Sequence, residues 1–169
     1  MVLGNTAIAL VDDDPAVRSA LERLLLAMGF RVAAFCSAEE FLTRKDSSDF
    51  ACLILDVHLL GMSGLDLSTQ LAEAGSTLPI IFMSAAADAP SAVSANTGGT
   101  GLLLVKPLDA DVLDAALTRI LQSTLAELNS SDANGGAGRK SPKVPKAVLD
   151  EANAIWLNSS TGVPHGITD

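Results

Sequence analysis

The sequence predicts an α/β protein built on a doubly wound parallel sheet. Five short apolar runs recur along residues 1–128, and stretches with helical spacing of apolar residues separate them. Each run is unbroken rather than alternating, which is typical of strands buried on both faces. Strands that alternate with helices favour a parallel sheet covered on both sides.

The first strand and helix are marked by an apolar run followed by acidic residues. Thr6–Val11 forms the run, and Asp12–Asp14 follow it. Asp14 and Pro15 are the residue types preferred at the N-cap and at the first helical position. Gly29 closes the helix. The apolar stripe of this helix comprises Val17, Leu21, Leu24, Leu25 and Met28.

The second strand, second helix and third strand follow the same pattern. Phe30–Phe35 is the second strand, and Ser37–Glu40 has the sequence of a capping box, which starts a short helix through Arg44. The third strand, Ala51–Leu55, carries a single carboxylate, Asp56, at its end. A charge at the end of a buried strand is unfavourable unless it is paired or used.

Glycines bound the next helix on both sides. A turn at Gly61–Gly64 precedes it and Gly75 ends it; the apolar positions are Leu65, Leu67, Leu71 and Ala72. Leu78–Met83 then forms the fourth strand, which ends at Ser84.

The segment between the fourth and fifth strands is rich in Ala, Ser and Gly, and we expect a short helix around Ser91–Asn96. Leu102–Val105 is the fifth strand, and Asp109 caps a long last helix. Its apolar stripe comprises Val112, Leu113, Ala116, Leu117, Ile120, Leu121, Leu125 and Leu128.

Right-handed crossovers restrict the topology that these elements can adopt. The flavodoxin-like strand order 2-1-3-4-5 is expected, with strands 1 and 3 adjacent at the switch point. We expect residues 1–128 to form this domain and residues 129–146, rich in Ser, Gly, Asn and Pro, to be a flexible linker. Residues 147–169 are expected to be an otherwise unstructured tail with a short amphipathic helix over Ala147–Leu157.

Composition excludes several classes of protein. The 169-residue chain has a net charge of −9, all of it within residues 1–128, which argues against binding to phosphate backbones or anionic lipids. Cys36 and Cys52 lack CxxC spacing and lie in apolar segments, so buried free thiols are expected. No apolar run reaches the roughly 18 residues of a membrane span. No signal peptide is evident, and we expect a cytoplasmic protein without membrane contact.

The polar residues at the strand ends are the candidate functional site. Carboxyl ends of parallel strands share one edge of the sheet, where ligands bind. Each residue alone is more often a cap, a turn residue or a solvated charge, apart from Asp56, for which both interpretations are equally open. Their agreement favours one site, and its members are Asp12, Asp13, Asp56, Ser84 and Lys106.

This set of groups suits phosphoryl transfer to a carboxylate. Asp56 can act as the nucleophile and form an acyl phosphate. Positive charge must then offset the charge of the phosphoryl oxygens. Mg²⁺ held by Asp13, Asp56 and, through water, Asp12 would supply it together with Lys106. The Ser84 hydroxyl and backbone N–H groups, including that of Ala85, would bind the phosphoryl oxygens.

Four segments resemble the receiver domain of two-component response regulators, over about Thr6–Leu128. They are VDDDPAVR (11–18), LILDVHLLGMSGLDL (53–67), IIFMSA (80–85) and VKPL (105–108). The resemblance implies that a histidine kinase phosphorylates Asp56. It implies further that Asp12, Asp13, Asp56 and the backbone carbonyl of His58 bind Mg²⁺ or Mn²⁺.

The resemblance also implies that Ser84 and Lys106 contact the phosphoryl group and that the Lys106-Pro107 peptide bond is cis. Two positions bear on how this site would work. Leu103 stands where the family usually has an aromatic switch residue. His58, two residues after the acceptor, is either a modulator of dephosphorylation or an exposed loop histidine.

We therefore hypothesise a phosphoacceptor receiver that signals through phosphorylation-dependent protein contacts. The downstream partner, or a second copy, would bind the face of the fourth helix, fifth strand and fifth helix. The alternative is a pseudo-receiver that acts as a constitutive interaction module. An aspartyl-phosphate phosphatase is a third possibility, but His58 stands where its general acid is expected. We expect no enzyme activity beyond self-phosphorylation and self-dephosphorylation. We also expect no DNA binding, because the 41 residues after Leu128 are fewer than a helix-turn-helix output domain needs.

Overall fold

The computed structural model describes residues 6–44, 49–85 and 102–129, with side chains of the last segment up to residue 124. Five strands and four helices lie in this part of the chain. They are β1 (Ala7–Val11), α1 (Pro15–Ala27), β2 (Arg31–Phe35), α2 (Ala38–Thr43), β3 (Phe50–Asp56), α3 (Gly64–Glu73), β4 (Ile80–Ser84), β5 (Leu102–Val105) and α4 (Ala110–Asn129). The helix expected at residues 91–96, the linker and the tail lie outside the described residues.

The strands form one parallel sheet in the order β2-β1-β3-β4-β5, which confirms the predicted fold class and strand order. β1 lies between β2 and β3, with Leu10 in register with both Ala34 and Ile54. β3 is in turn paired with β4, and β4 with β5. The strand ends differ from the predicted bounds by no more than two residues.

Two hydrophobic cores lie on opposite faces of the sheet. The core that contains residues of α1 and α4 also contains four even-numbered residues of β1 and β3, namely Ile8, Leu10, Cys52 and Ile54. Odd-numbered residues, such as Val11 and Leu55, belong to the core that includes residues of α2 and α3. This alternation is the two-residue period of a strand that is buried on both faces. Among the described residues, no helix is both long and apolar enough to cross a membrane.

The helix ends explain why the sequence pattern located these elements. The Asp14 side chain accepts hydrogen bonds from the backbone N–H groups of Ala16 and Val17 at the start of α1. Ser63 and Asp66 form a reciprocal capping box at the start of α3. Side-chain caps of this kind satisfy backbone donors that the helix leaves unpaired.

Three predicted burial positions are wrong. Ala72, expected in the apolar stripe of α3, is exposed in the last turn of that helix. Cys52 is buried, as expected, but Cys36 is exposed because it follows the last residue of the edge strand β2 rather than lying within it. Val112 is 50% exposed, because the buried stripe of α4 is formed by residues such as Leu113 and Leu117, and Val112 lies at its margin in the first turn.

Gly64 is the residue that lets α3 begin directly beside the end of β3. A Cβ built at this position would lie far inside contact distance of the backbone carbonyl oxygen of Asp56 and close to the backbone of Val57. The Gly64 N–H also donates a hydrogen bond to the Val57 carbonyl, 3.1 Å away. Glycine at position 64 therefore determines how closely α3 and β3 approach each other.

We predict that Gly64→Ala lowers the free energy of unfolding by about 1–3 kcal/mol, because the added methyl group must displace backbone. An exposed Gly→Ala change inside a helix ordinarily has the opposite sign. Urea denaturation measures the difference, with Gln70→Ala, an exposed substitution on the same helix, as the control expected to be near neutral. An unchanged or increased stability of Gly64→Ala would contradict the close approach.

Candidate functional site

Four of the five strands bring a polar group to the carboxyl edge of the sheet. Asp12 directly follows β1, Asp56 ends β3, Ser84 ends β4 and Lys106 directly follows β5. The strand registers place these ends side by side, since Asp56 is aligned with Met83, and Ser84 with Val105. The predicted convergence of strand ends is therefore what the fold produces.

Three carboxylates form a compact cluster at this edge. Asp12, Asp13 and Asp56 each offer one oxygen, and these oxygens all lie within 4.8 Å of one another. Asp12 and Asp56 are buried, whereas Asp13 is half-buried. Burial of carboxylates at such separations requires compensating positive charge.

Lys106 supplies part of that charge. Its Nζ lies 2.7 Å from Oδ2 of Asp56 and 3.2 Å from Oδ2 of Asp12. Its backbone N–H donates to the Ser84 carbonyl at 2.8 Å, which fixes the start of the side chain next to the end of β4. One ammonium therefore bridges two carboxylates that belong to different strands.

The pKa values of these groups reflect burial and mutual charge. Burial, to which the charge of Asp56 adds, raises the pKa of Asp12 to about 6, even though Lys106 and the Asp14 N–H act in the opposite direction. Burial by itself would lower the pKa of Lys106, but the charges of Asp12 and Asp56 outweigh it and raise that pKa. Lys106 therefore stays protonated at neutral pH, whereas Asp12 takes up a proton at about pH 6.

Backbone contacts orient the two buried carboxylates. Asp12 Oδ1 accepts the N–H of Asp14 at 2.9 Å, and Asp56 Oδ1 accepts the N–H of His58 at the same distance. The N–H of Val57 donates to the Met83 carbonyl, 2.9 Å away, which anchors the chain after Asp56 to β4. Each carboxylate therefore has a hydrogen bond to the turn that follows it as well as an ion pair.

The other predicted residues lie around this cluster in different environments. Ser84 is fully buried, whereas Ala85 and His58 are exposed. Leu103 is half-buried, pairs in register with Phe82 and packs against the core on the α2 and α3 side. The Lys106-Pro107 peptide bond is cis.

The sequence did not predict two residues that help to form the site, Arg18 and Gly64. The Arg18 guanidinium donates to the backbone carbonyl of Asp12 at 2.7 Å, which fixes the peptide that follows β1. Arg18 lies one helical turn after Asp14, so its spacing was a signal that it could reach the strand end. Gly64 contacts the carbonyl of Asp56 rather than its side chain, and no pattern in the sequence reports such a contact.

The donor set fits a hard divalent cation. Three carboxylates against one ammonium leave a local charge of −2 at full ionisation. Oxygen ligands on opposite sides of an octahedral Mg²⁺ are about 4 Å apart, which is compatible with oxygens that all lie within 4.8 Å. The fold and the site therefore define an α/β domain with a doubly wound parallel sheet and an acidic cluster at the carboxyl edge, where such sheets bind their ligands.

Comparisons with known proteins identify the family of this domain. The family model described as "Response regulator receiver domain" matches residues 8–118. The response regulator protein TmoT of Ectopseudomonas mendocina is 43% identical over 117 residues, which cover 69% of this chain and 53% of TmoT. The transcriptional regulatory protein FixJ of Azorhizobium caulinodans is 34% identical over 130 residues, which cover 77% of this chain and 62% of FixJ.

A solved structure shows the same fold. The response regulator TrrA of Thermotoga maritima, in complex with Mg²⁺-BeF, superposes with a TM-score of 0.62 at 25% identity and covers 69% of this chain and 99% of TrrA. The chain belongs to the receiver-domain family of two-component response regulators. It spans about half the length of TmoT, so the activity of a whole regulator does not transfer to it directly.

We predict a pH-dependent difference in stability between the wild type and Asp12→Asn. Between the unfolded pKa of about 3.9 and the folded value of about 6, the folded protein binds more protons at Asp12 than the unfolded chain does. Ionisation of Asp12 therefore destabilises the wild type as pH rises through this window. The stability of Asp12→Asn relative to wild type should rise by about 1–3 kcal/mol from pH 4 to pH 7.

Urea denaturation in Mg²⁺-free buffer across this range measures the difference. Asp49→Asn removes an exposed carboxylate outside the cluster and is the matched control. A difference between Asp12→Asn and wild type that does not change with pH would contradict the burial of an ionisable Asp12.

Proposed function

We propose that Asp56 accepts a phosphoryl group from a histidine kinase in the presence of Mg²⁺ and that the protein signals through phosphorylation-dependent protein contacts. The observation that carries this proposal is the position of Lys106 Nζ, 2.7 Å from Asp56 within a cluster of three carboxylates. A structural ion pair needs one acid and one base. The additional carboxylates suit a site that binds a cation and a phosphoryl group together.

Each residue of the site has a role in this proposal. Asp12, Asp13, Asp56 and the backbone carbonyl of His58 would hold Mg²⁺ or Mn²⁺, which supplies charge stabilisation of the phosphoryl oxygens when bound. Asp56 attacks phosphorus through one carboxylate oxygen, and the bond from phosphorus to the donor's leaving group breaks. Lys106, already charged, moves from pairing with two carboxylates to pairing with a phosphoryl oxygen.

The buried hydroxyl of Ser84 and the backbone N–H of Ala85 complete the phosphoryl site in this proposal. Ser84 is the last residue of β4 and directly follows Met83, the register partner of Asp56, and Ala85 is the next residue along the chain. A hydroxyl without solvent contact gains most from a new charged acceptor, because water does not compete for its hydrogen bond. Hydrolysis of the acyl phosphate would return the protein to its resting state, with His58 exposed beside the acceptor.

The face for downstream contacts is proposed to be that of the last helix, the fifth strand and the segment between β4 and β5. Val105 and Val112 on this face are 54% and 50% exposed. Apolar side chains exposed in this way favour a protein partner or a second copy of the chain over nucleic acid. The local composition supports the same choice, since residues 1–128 carry the whole net charge of −9.

Leu103 supports one alternative, a pseudo-receiver that acts as a constitutive interaction module. Its aliphatic side chain packs against the core beside Phe82 and has no polar group with which to report on Ser84. In that alternative the acidic cluster would be retained without phosphoryl transfer. A phosphatase with an aspartyl intermediate is a weaker alternative, because the exposed residue two positions after Asp56 is a histidine rather than a carboxylic acid.

We predict that incubation with acetyl phosphate and Mg²⁺ phosphorylates the wild-type protein at one site per chain. The adduct should be stable in acid and labile in base, as an acyl phosphate is. Asp56→Asn should abolish it, and removal of Mg²⁺ by chelation should suppress it at least tenfold. Intact-protein mass spectrometry measures the occupancy, with Asp49→Asn as a variant that keeps the site.

Two results would contradict this prediction. Absence of an adduct on the wild type under these conditions would favour the pseudo-receiver. Turnover of phosphate esters in large excess over protein would favour the phosphatase instead.

A further inference from the structure

Residues 57–63 form the loop after Asp56, which we call the acceptor loop. Hydrogen bonds to adjacent residues and strands hold both of its ends. The Val57 N–H is bonded to Met83 of β4, and the Val57 carbonyl accepts the N–H of Gly64. Ser63 caps α3 through Asp66. The middle of the loop extends over the edge of the sheet, and Leu60 there is 79% exposed.

A carboxylate from α2 holds the middle of this loop. Glu39 Oε1 accepts the backbone N–H of Met62 at 3.0 Å, across 23 residues of sequence. This hydrogen bond lowers the pKa of Glu39, so the side chain is ionised at neutral pH. Glu39 lies in the first turn of α2, whose start is set by the N-cap Ser37.

The loop is shaped to receive this carboxylate. Gly61 has a φ of +83°, a conformation that residues with a Cβ rarely adopt. A Cβ at this position would also lie 2.8 Å from Oε1 of Glu39. Because Gly61 has no side chain, the loop can adopt this turn and leaves room for the Glu39 carboxylate.

We propose that Glu39 is a positioning residue for the acceptor site, acting through the acceptor loop rather than by contact with the reacting groups. The proposal rests on the proposed function of Asp56. The chain of contacts runs from Glu39 to the Met62 N–H, along the loop to His58, and from the His58 N–H to Oδ1 of Asp56 at 2.9 Å. The backbone carbonyl proposed as a metal ligand belongs to the same residue, His58.

The size of the effect is limited by what else holds the loop. Leu59 and Met62 pack against the core on the α2 and α3 side, so the loop keeps apolar anchors when the carboxylate is removed. Removal of outer contacts to metal ligands typically weakens metal binding about 10- to 100-fold. For Glu39, which is exposed and one step further away, we expect about 3- to 10-fold.

Glu40 provides a matched control. It is the next residue of the same helical turn and is also exposed, and its carboxylate also accepts a backbone N–H, that of Cys36 at 2.7 Å. Within the part of the chain that the structure describes, the hydrogen bonds of its carboxylate go to Cys36 and not to the acceptor loop. Glu39→Ala and Glu40→Ala each remove one carboxylate and one hydrogen bond to a backbone N–H. Glu40→Ala also removes a contact with the Cys36 thiol and an interaction with the charge of Arg18, but only Glu39→Ala releases Met62.

The test combines Mg²⁺ titration of the full chain by calorimetry with the NMR signal of the Met62 amide. Glu39→Ala should weaken Mg²⁺ binding about 3- to 10-fold and move the Met62 amide proton upfield, as expected when a bond to a carboxylate is lost. Glu39→Gln keeps an acceptor oxygen and should restore binding to within about twofold of wild type. Glu40→Ala should match the wild type in both measurements.

Three results would overturn the inference. The first is an unchanged Met62 amide in Glu39→Ala, and the second is a shifted amide with unchanged Mg²⁺ affinity. The third is equal weakening of Mg²⁺ binding in Glu40→Ala. If Glu39→Ala binds Mg²⁺ and accepts phosphate as well as the wild type does, only this inference is wrong. If the wild type itself binds no Mg²⁺, the proposed function is wrong as well.

Discussion

The ion pairs of Lys106 with Asp12 and Asp56 are the interaction on which the carboxyl edge of the sheet depends. Two carboxylates at this distance repel each other, and burial disfavours the charge of Asp12, whose pKa is raised. The ammonium that lies between them offsets both effects. The three residues come from three strands, so this balance is also a constraint on the order of the sheet.

The parallel topology is what makes such a convergence possible. Every strand ends at the same edge, and the neighbouring registers of β1, β3, β4 and β5 bring separate single residues into one site. The two cores then hold the strands from both faces. The site is therefore formed by the strand ends themselves, and the acceptor loop begins where β3 ends.

Local sequence patterns predicted the elements because local physics determines them. Unbroken apolar runs located β1 to β5, and caps such as Asp14 located the helix starts. The strand-end residues could be assigned to one site because topology alone brings them together. Burial of Cys36 and Val112 was predicted wrongly because exposure at a strand end or at the margin of a helix stripe depends on neighbours distant in sequence.

Contacts between distant segments left no pattern to detect. The approach of Gly64 to the Asp56 carbonyl and the bond from Met62 to Glu39 each join a side-chain or backbone atom to a partner that only the fold identifies. A glycine in a turn has several explanations, and an exposed glutamate in a first helical turn is ordinary.

The two oxygens of Asp56 have different partners, the His58 N–H for Oδ1 and the Lys106 ammonium for Oδ2. An aspartate in water rotates freely about its last torsion, and its two oxygens are equivalent on average. In the folded protein these two partners restrain this rotation, so the entropy of orienting the carboxylate is lost during folding. In the proposed function, a phosphoryl donor would therefore meet a carboxylate whose two oxygens are already distinguished by their partners.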